Sequence, residues 1–131
     1  MTVLVGYVPN AFGEAALTAA VEESQRRQER LLVVNMSRDD VLVDARRAGE
    51  EQLARVGRDL AELGTEFEVR QIEEGNDAAD ALLKVAADEK ASVLVIGIRH
   101  RSPVGKLLLG SVAQRILLDA SCPVLAVKAE A

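Results

Sequence analysis

Tryptophan is absent from this 131-residue chain, and Tyr7, Phe12 and Phe67 are its only aromatic side chains. A core must therefore be built from Val, Leu, Ile and Ala, a composition that favours buried parallel strands covered by alanine-rich helices. The same shortage argues against a single-strand nucleic-acid binder, which stacks bases on aromatic rings. A net charge of −5 argues against the dominant basic face of a duplex binder. Cys122 is the only cysteine, so no internal disulfide and no thiolate metal cluster can form, and it reads as a small apolar residue. The longest apolar runs, such as residues 93–98, are far short of the ~20 that span a bilayer. No basic segment followed by an apolar one opens the chain, so a cytoplasmic location is the expectation.

Catalytic patterns are equally scarce. There is no GxSxG elbow and no GKS or GKT phosphate loop, and the Gly105-Lys106 pair lacks a following Ser or Thr. A phospho-receiver domain would need acids after its first strand, where this chain has Tyr7, Val8 and Pro9. One histidine without a carboxylate pattern does not make a metal site. The expectation is a protein that is not an enzyme. A weak ATPase ranks last among the alternatives, because no general base is visible.

What the chain does contain is a regular alternation. With 49% hydrophobic and 28% charged residues it should fold as one globular domain over 1–131. VLVGYV (3–8), LLVVNM (31–36), SVLVIGI (92–98) and PVLAV (123–127) are near-continuous apolar runs, the pattern of buried strands. FEVRQI (67–72) alternates, with Phe67 and Val69 opposite Glu68 and Arg70, which suits an edge strand carrying protective charges. Between them, helical spacing runs from Ala11 to Gln28, from about Asp44 through Leu53, Val56, Leu60 and Leu63 to a left-handed cap at Gly64, and from an Asp77 start through Ala79, Leu82, Leu83 and Ala86. Ser111 reads as the N-cap of a last helix with Val112, Ile116 and Leu117 inward. The order βαβαβαβαβ predicts an α/β fold with a five-stranded parallel sheet and helices on both faces. The commoner strand order for such a chain, 3-2-1-4-5, reverses its winding between strands one and four and leaves a ligand crevice at their carboxyl ends.

The connection from Arg99 to Gly110 lines that crevice and is about twice the usual two to six residues. Gly97, Gly105 and Gly110 would let backbone approach a ligand, and the following helix start favours an anion. Arg99, Arg101, Lys106 and Arg115, with His100, lie in a segment from Ala91 to Leu118 that has no acid, whereas the remainder carries 12 Lys and Arg against 21 acids. That local positive field suits a small anion and not a polyanion. His100 could itself be a ligand contact, a metal ligand or a surface residue.

GIRHRSPVGKLLLGSVAQRILLDASCPVLAVK, residues 97–128, resembles the C-terminal signature of universal stress protein domains, and the element order matches that family along the whole chain. The resemblance implies a Rossmann-like fold that binds ATP or AMP, the ATP with Mg2+, between strands 1 and 4. The family's pattern of Gly, two residues, Gly, nine residues, Gly and Ser or Thr falls on Gly97, His100, Gly110 and Ser111, with histidine at the middle glycine. An Asp that contacts adenosine in nucleotide-binding members is Val8 here, and Met36 matches a position whose backbone contacts adenine. The implied nucleotide site is Tyr7, Val8, Pro9, Met36, Gly97, Arg99, His100, Arg101, Lys106, Gly110, Ser111 and Val112. The resemblance also implies a homodimer through the last strand, by antiparallel pairing of Val124, Leu125, Ala126, Val127 and Lys128. Val8 and His100 leave an alternative, a nucleotide-independent dimeric module of the same family whose pocket is vestigial or holds another anion.

Overall fold

The computed structural model describes residues 1–36, 43–72, 77–98 and 111–129, the side chains of residues 43–50 and 52 excepted. The elements are β1 (Thr2–Tyr7), α1 (Ala11–Arg27), β2 (Arg30–Asn35), α2 (Val43–Glu62), β3 (Phe67–Gln71), α3 (Ala78–Asp88), β4 (Ala91–Ile98), α4 (Ser111–Asp119) and β5 (Val124–Lys128). The five strands form one parallel sheet in the order β3-β2-β1-β4-β5, as the alternation predicts. Pro123 has no N–H to give a ladder, so β5 begins one residue later than predicted, and the Pro123 carbonyl accepts from Leu94 N at 2.9 Å.

Alternation along the strands divides the core into two layers. Val3, Val5, Tyr7, Leu31, Val33, Val93 and Val95 face α1 and α2, against Ala16, Leu17, Ala20, Val56 and Leu60. Leu4, Leu32, Val34, Leu94, Ile96 and Ile98 face the other way, against Ala79, Leu82 and Ala86 of α3 and Ile116 of α4. Each fully buried Val or Leu of this kind contributes about 1.5–3 kcal/mol through removal from water. Small alanines on α1 and α3 let the helices lie close over the sheet. Among the described residues no helix is long and apolar enough to cross a membrane.

Local signals behave as read at most helix ends. Asp77 Oδ1 accepts from Asp80 N at 3.0 Å and starts α3, and Gly64 adopts φ 72° beyond α2. Two expectations, Leu63 within the helical spacing of α2 and Leu117 inward on α4, are corrected. Leu63 lies past the last residue of α2 and is 57% exposed, and Leu117 is 40% exposed because Val112, Ala113 and Ile116 take the sheet-facing side of α4. Ser111 is the first residue of α4 and not the residue before it.

The edge strand β3 carries its charges on the face that α3 leaves uncovered. Arg70 pairs with Glu68 at 2.9 Å and Glu89 at 2.8 Å, and Arg30 reaches Glu89 at 2.6 Å and Thr2 Oγ1 at 3.1 Å. This network ties the turn after α3 to the starts of β1 and β2 and to β3. The hydrogen bond from Arg70 holds the Glu68 carboxyl below its ordinary 4.5. A carboxyl depressed in the folded state stabilises above its unfolded pKa, and that contribution is lost as pH falls through the folded value. The melting temperature is therefore expected to decline below about pH 4.5, modestly because solvent screens the pairs. Glu68→Gln should decline less steeply in the same thermal melts; equal slopes would remove Glu68 from the account.

Candidate functional site

β1 pairs with β2 on one side and β4 on the other, and it is between β1 and β4 that the winding reverses. At the carboxyl ends of those strands lies a cavity of about 250 Å³. Its walls are Gly6 and Val8 of the first strand and its exit, Ile96, Gly97 and Ile98 of β4, Met36 beyond β2, and the starts of two helices. Asn10, Phe12 and Gly13 represent α1, and Val112, Ala113 and Ile116 represent α4.

Two glycines set how α1 enters. A Cβ built on Gly13 would collide with the Val8 carbonyl oxygen, and one built on Gly97 would collide with the Phe12 carbonyl oxygen. The first turn of α1 therefore rests backbone against backbone on the end of β1 and on β4. The bare face of Gly97 thus receives α1, while Gly97 also borders the cavity. Gly6 is looser, because a Cβ there would stand 2.9 Å from Leu82 Cδ2 and 3.0 Å from Met36 Sδ, both ends of flexible side chains.

Asn10 caps α1, accepting from Gly13 N at 3.0 Å, while its own amide donates to Val8 O at 2.8 Å. Two helix N-termini thus border one cavity, and each presents the positive end of its dipole. The remaining lining is apolar: Val8, Phe12, Met36, Ile96, Ile98, Val112 and Ile116. Such a space can take a flat apolar group along its walls and an anion at a helix start.

The predicted site residues divide accordingly. Val8, Met36, Gly97 and Val112 meet at the cavity. Pro9 lies half-buried in the β1–α1 turn, and Ser111 is exposed at the first position of α4. Tyr7 is not among the lining residues, and its carbonyl accepts from Met36 N at 2.8 Å. Its ring is fully buried in the α1–α2 layer, and its hydroxyl donates to Glu14 Oε1 at 2.8 Å, as does Arg55 at 2.8 Å. Arg99, His100, Arg101, Lys106 and Gly110 lie outside the described residues. Arg115 is not among the cavity's lining residues and is paired with Asp77, the cap of α3, and with Asp80 of that helix. Sequence reasoning missed Gly6, Asn10, Phe12 and Gly13 as lining, and also Ile96, Ile98, Ala113 and Ile116. A glycine one turn inside a helix behind an Asn cap was the available signal of close backbone approach. Cys122 is half-buried beside α4, and burial pushes its thiol pKa up.

The sequence profile of the universal stress protein family matches residues 1–128. The chain belongs to that family. A universal stress protein of Mycolicibacterium smegmatis is 50% identical over 126 residues, 96% of either chain. The structure of a universal stress protein from Archaeoglobus fulgidus has a TM-score of 0.82 at 30% identity, over 98% of both chains. A universal stress protein family protein from Arabidopsis thaliana, solved with AMP bound, has a TM-score of 0.71 at 20% identity over 100% of this chain and 93% of that one, a likeness of fold alone. For this universal stress protein the family and the 3-2-1-4-5 order agree with the reading of residues 97–128.

The glycine contacts make a sharp test in urea denaturation. Gly13→Ala and Gly97→Ala should each destabilise by about 1–3 kcal/mol or more, because the added methyl meets main chain that cannot rotate away. Gly57→Ala within α2 should stabilise by about 0.5–1 kcal/mol, since its Cβ would meet only Phe67 Cε2 at 3.9 Å. A neutral Gly97→Ala would end the argument that α1 depends on that bare backbone.

Proposed function

We propose that this chain is a regulatory domain of the stress-protein family that binds an adenine nucleotide, AMP or ATP, in the crevice between β1 and β4, and signals by occupancy without turning it over. The observation that carries the reading is the convergence of two helix N-termini on one apolar-walled cavity of about 250 Å³. A structural neighbour solved with AMP supports the choice of base. Val8 and Met36 would flank the adenine, the latter also through its main chain. Gly110, Ser111 and Val112 at the start of α4 would receive phosphate, with Arg99, His100, Arg101 and Lys106 supplying charge-assisted donors and Mg2+ accompanying ATP. β5 is an edge strand whose Val124, Leu125, Ala126 and Val127 are half-buried, which supports antiparallel pairing with a second copy. Sedimentation should then show a concentration-dependent dimer.

A second reading, the nucleotide-independent module, is favoured by one specific residue. The Val8 side chain at the cavity cannot accept a hydrogen bond. Titration calorimetry separates the two. Saturable heat with AMP or ATP and magnesium is expected, and Arg99→Ala and Lys106→Ala should each weaken binding at least about tenfold through loss of a charge-assisted contact. No heat with either nucleotide would discard the first reading. Binding that arises only in a Val8→Asp, His100→Gly variant would put the second in its place.

A further inference from the structure

We propose that Arg115 is a positioning residue for the crevice: by bridging α4 to α3 it sets where the start of α4 stands, and so tunes ligand affinity without touching the ligand. The proposal rests on the reading that phosphate is received at that helix start. α4 is nine residues long, and Ile116 is its one fully buried side chain. Ser111, Gln114, Leu117, Leu118 and Asp119 are exposed, with Leu118 at 75%. Hydrophobic anchoring of this helix is therefore light compared with α1, which buries Ala16, Leu17 and Ala20 and rests on bare glycine backbone.

Polar anchoring fills the difference. Arg115 Nη1 donates to Asp77 Oδ1 at 3.4 Å, and Nη2 pairs with Asp80 Oδ1. Nε stands 3.7 Å from Asp119 on its own helix. A planar guanidinium that addresses two carboxylates of α3 through different nitrogens constrains the rotation of α4 as well as its distance. Asp77 Oδ1 is at the same time the cap of α3, accepting from Asp80 N at 3.0 Å, so the bridge ends on a rigid helix start. Exposed ion pairs add little to global stability. Their effect on a lightly held helix is local, and it is Val112, Ala113 and Ile116 of this helix that wall the cavity. Arg115 itself is not among the cavity's lining residues.

Hydrogen exchange of the ligand-free full chain, paired with AMP calorimetry, tests this. Arg115→Gln and Asp80→Asn should each speed exchange of the α4 amides by about three- to tenfold, with β1 and β4 unchanged. The double replacement Arg115→Asp with Asp80→Arg should recover much of the loss. Raising NaCl to about 1 M should speed α4 exchange in the parent and not in Arg115→Gln, because salt screens the pairs. AMP affinity should fall in Arg115→Gln by a similar factor at unchanged stoichiometry. Unchanged α4 exchange, or a uniform increase across the sheet, would overturn the proposal, as would faster α4 exchange with unaltered AMP affinity. If the parent takes up no AMP, the nucleotide reading fails, and the exchange data still decide whether Arg115 holds α4.

Discussion

The crevice depends on a contact between main chains. Because Gly13 and Gly97 carry no side chain, the first turn of α1 lies directly on the Val8 carbonyl and over β4, and the helix start is held at the point where the sheet reverses. The Asn10 cap, the Val8 turn and the Phe12 carbonyl are all placed by that approach. A methyl group at Gly13 would press α1 off the Val8 main chain, and one at Gly97 would press β4 against the Phe12 main chain.

The opposite wall is held differently. α4 inserts Ile116 into the α3 layer, packs Val112 and Ala113 against the same core, and meets α3 at the surface through the Arg115 carboxylate cluster. One wall is thus a close-packed backbone contact, and the other is a short helix that adds exposed ion pairs to the packing of Val112, Ala113 and Ile116. Under the proposed reading, a ligand could shift an equilibrium only between arrangements of these walls that differ in their contacts with it.

The core explains why so few aromatic residues suffice. Two layers of Val, Leu and Ile, packed against alanines on α1 and α3, close both faces of a sheet whose central strands are buried. Tyr7 is fully buried, and its hydroxyl must find a partner; Glu14 supplies it and Arg55 of α2 shares the same carboxylate. On β3, where helix cover is incomplete, Glu68 and Arg70 replace apolar contacts with ion pairs that also protect a sheet edge.

Element identity, strand order, the Asp77 and Gly64 signals and family membership were legible in the chain, because periodicity, capping chemistry and the run from Gly97 to Lys128 are local properties of sequence. Val8, Met36, Gly97 and Val112 could be assigned to the crevice for the same reason, since the topology brings those strand ends and that helix start together. The purpose of individual residues was not legible. The bare face of Gly97 receives α1 as well as bordering the cavity, the Tyr7 side chain turns into the core, and Arg115 pairs with acids that lie 38 and 35 positions earlier. Those are relations between segments distant in sequence, and a pattern within a segment carries no information about which other segment packs against it. The sequence alone determined a parallel α/β sheet with a crevice at the β1–β4 reversal, while the tertiary structure decided which groups line that crevice and which hold its walls.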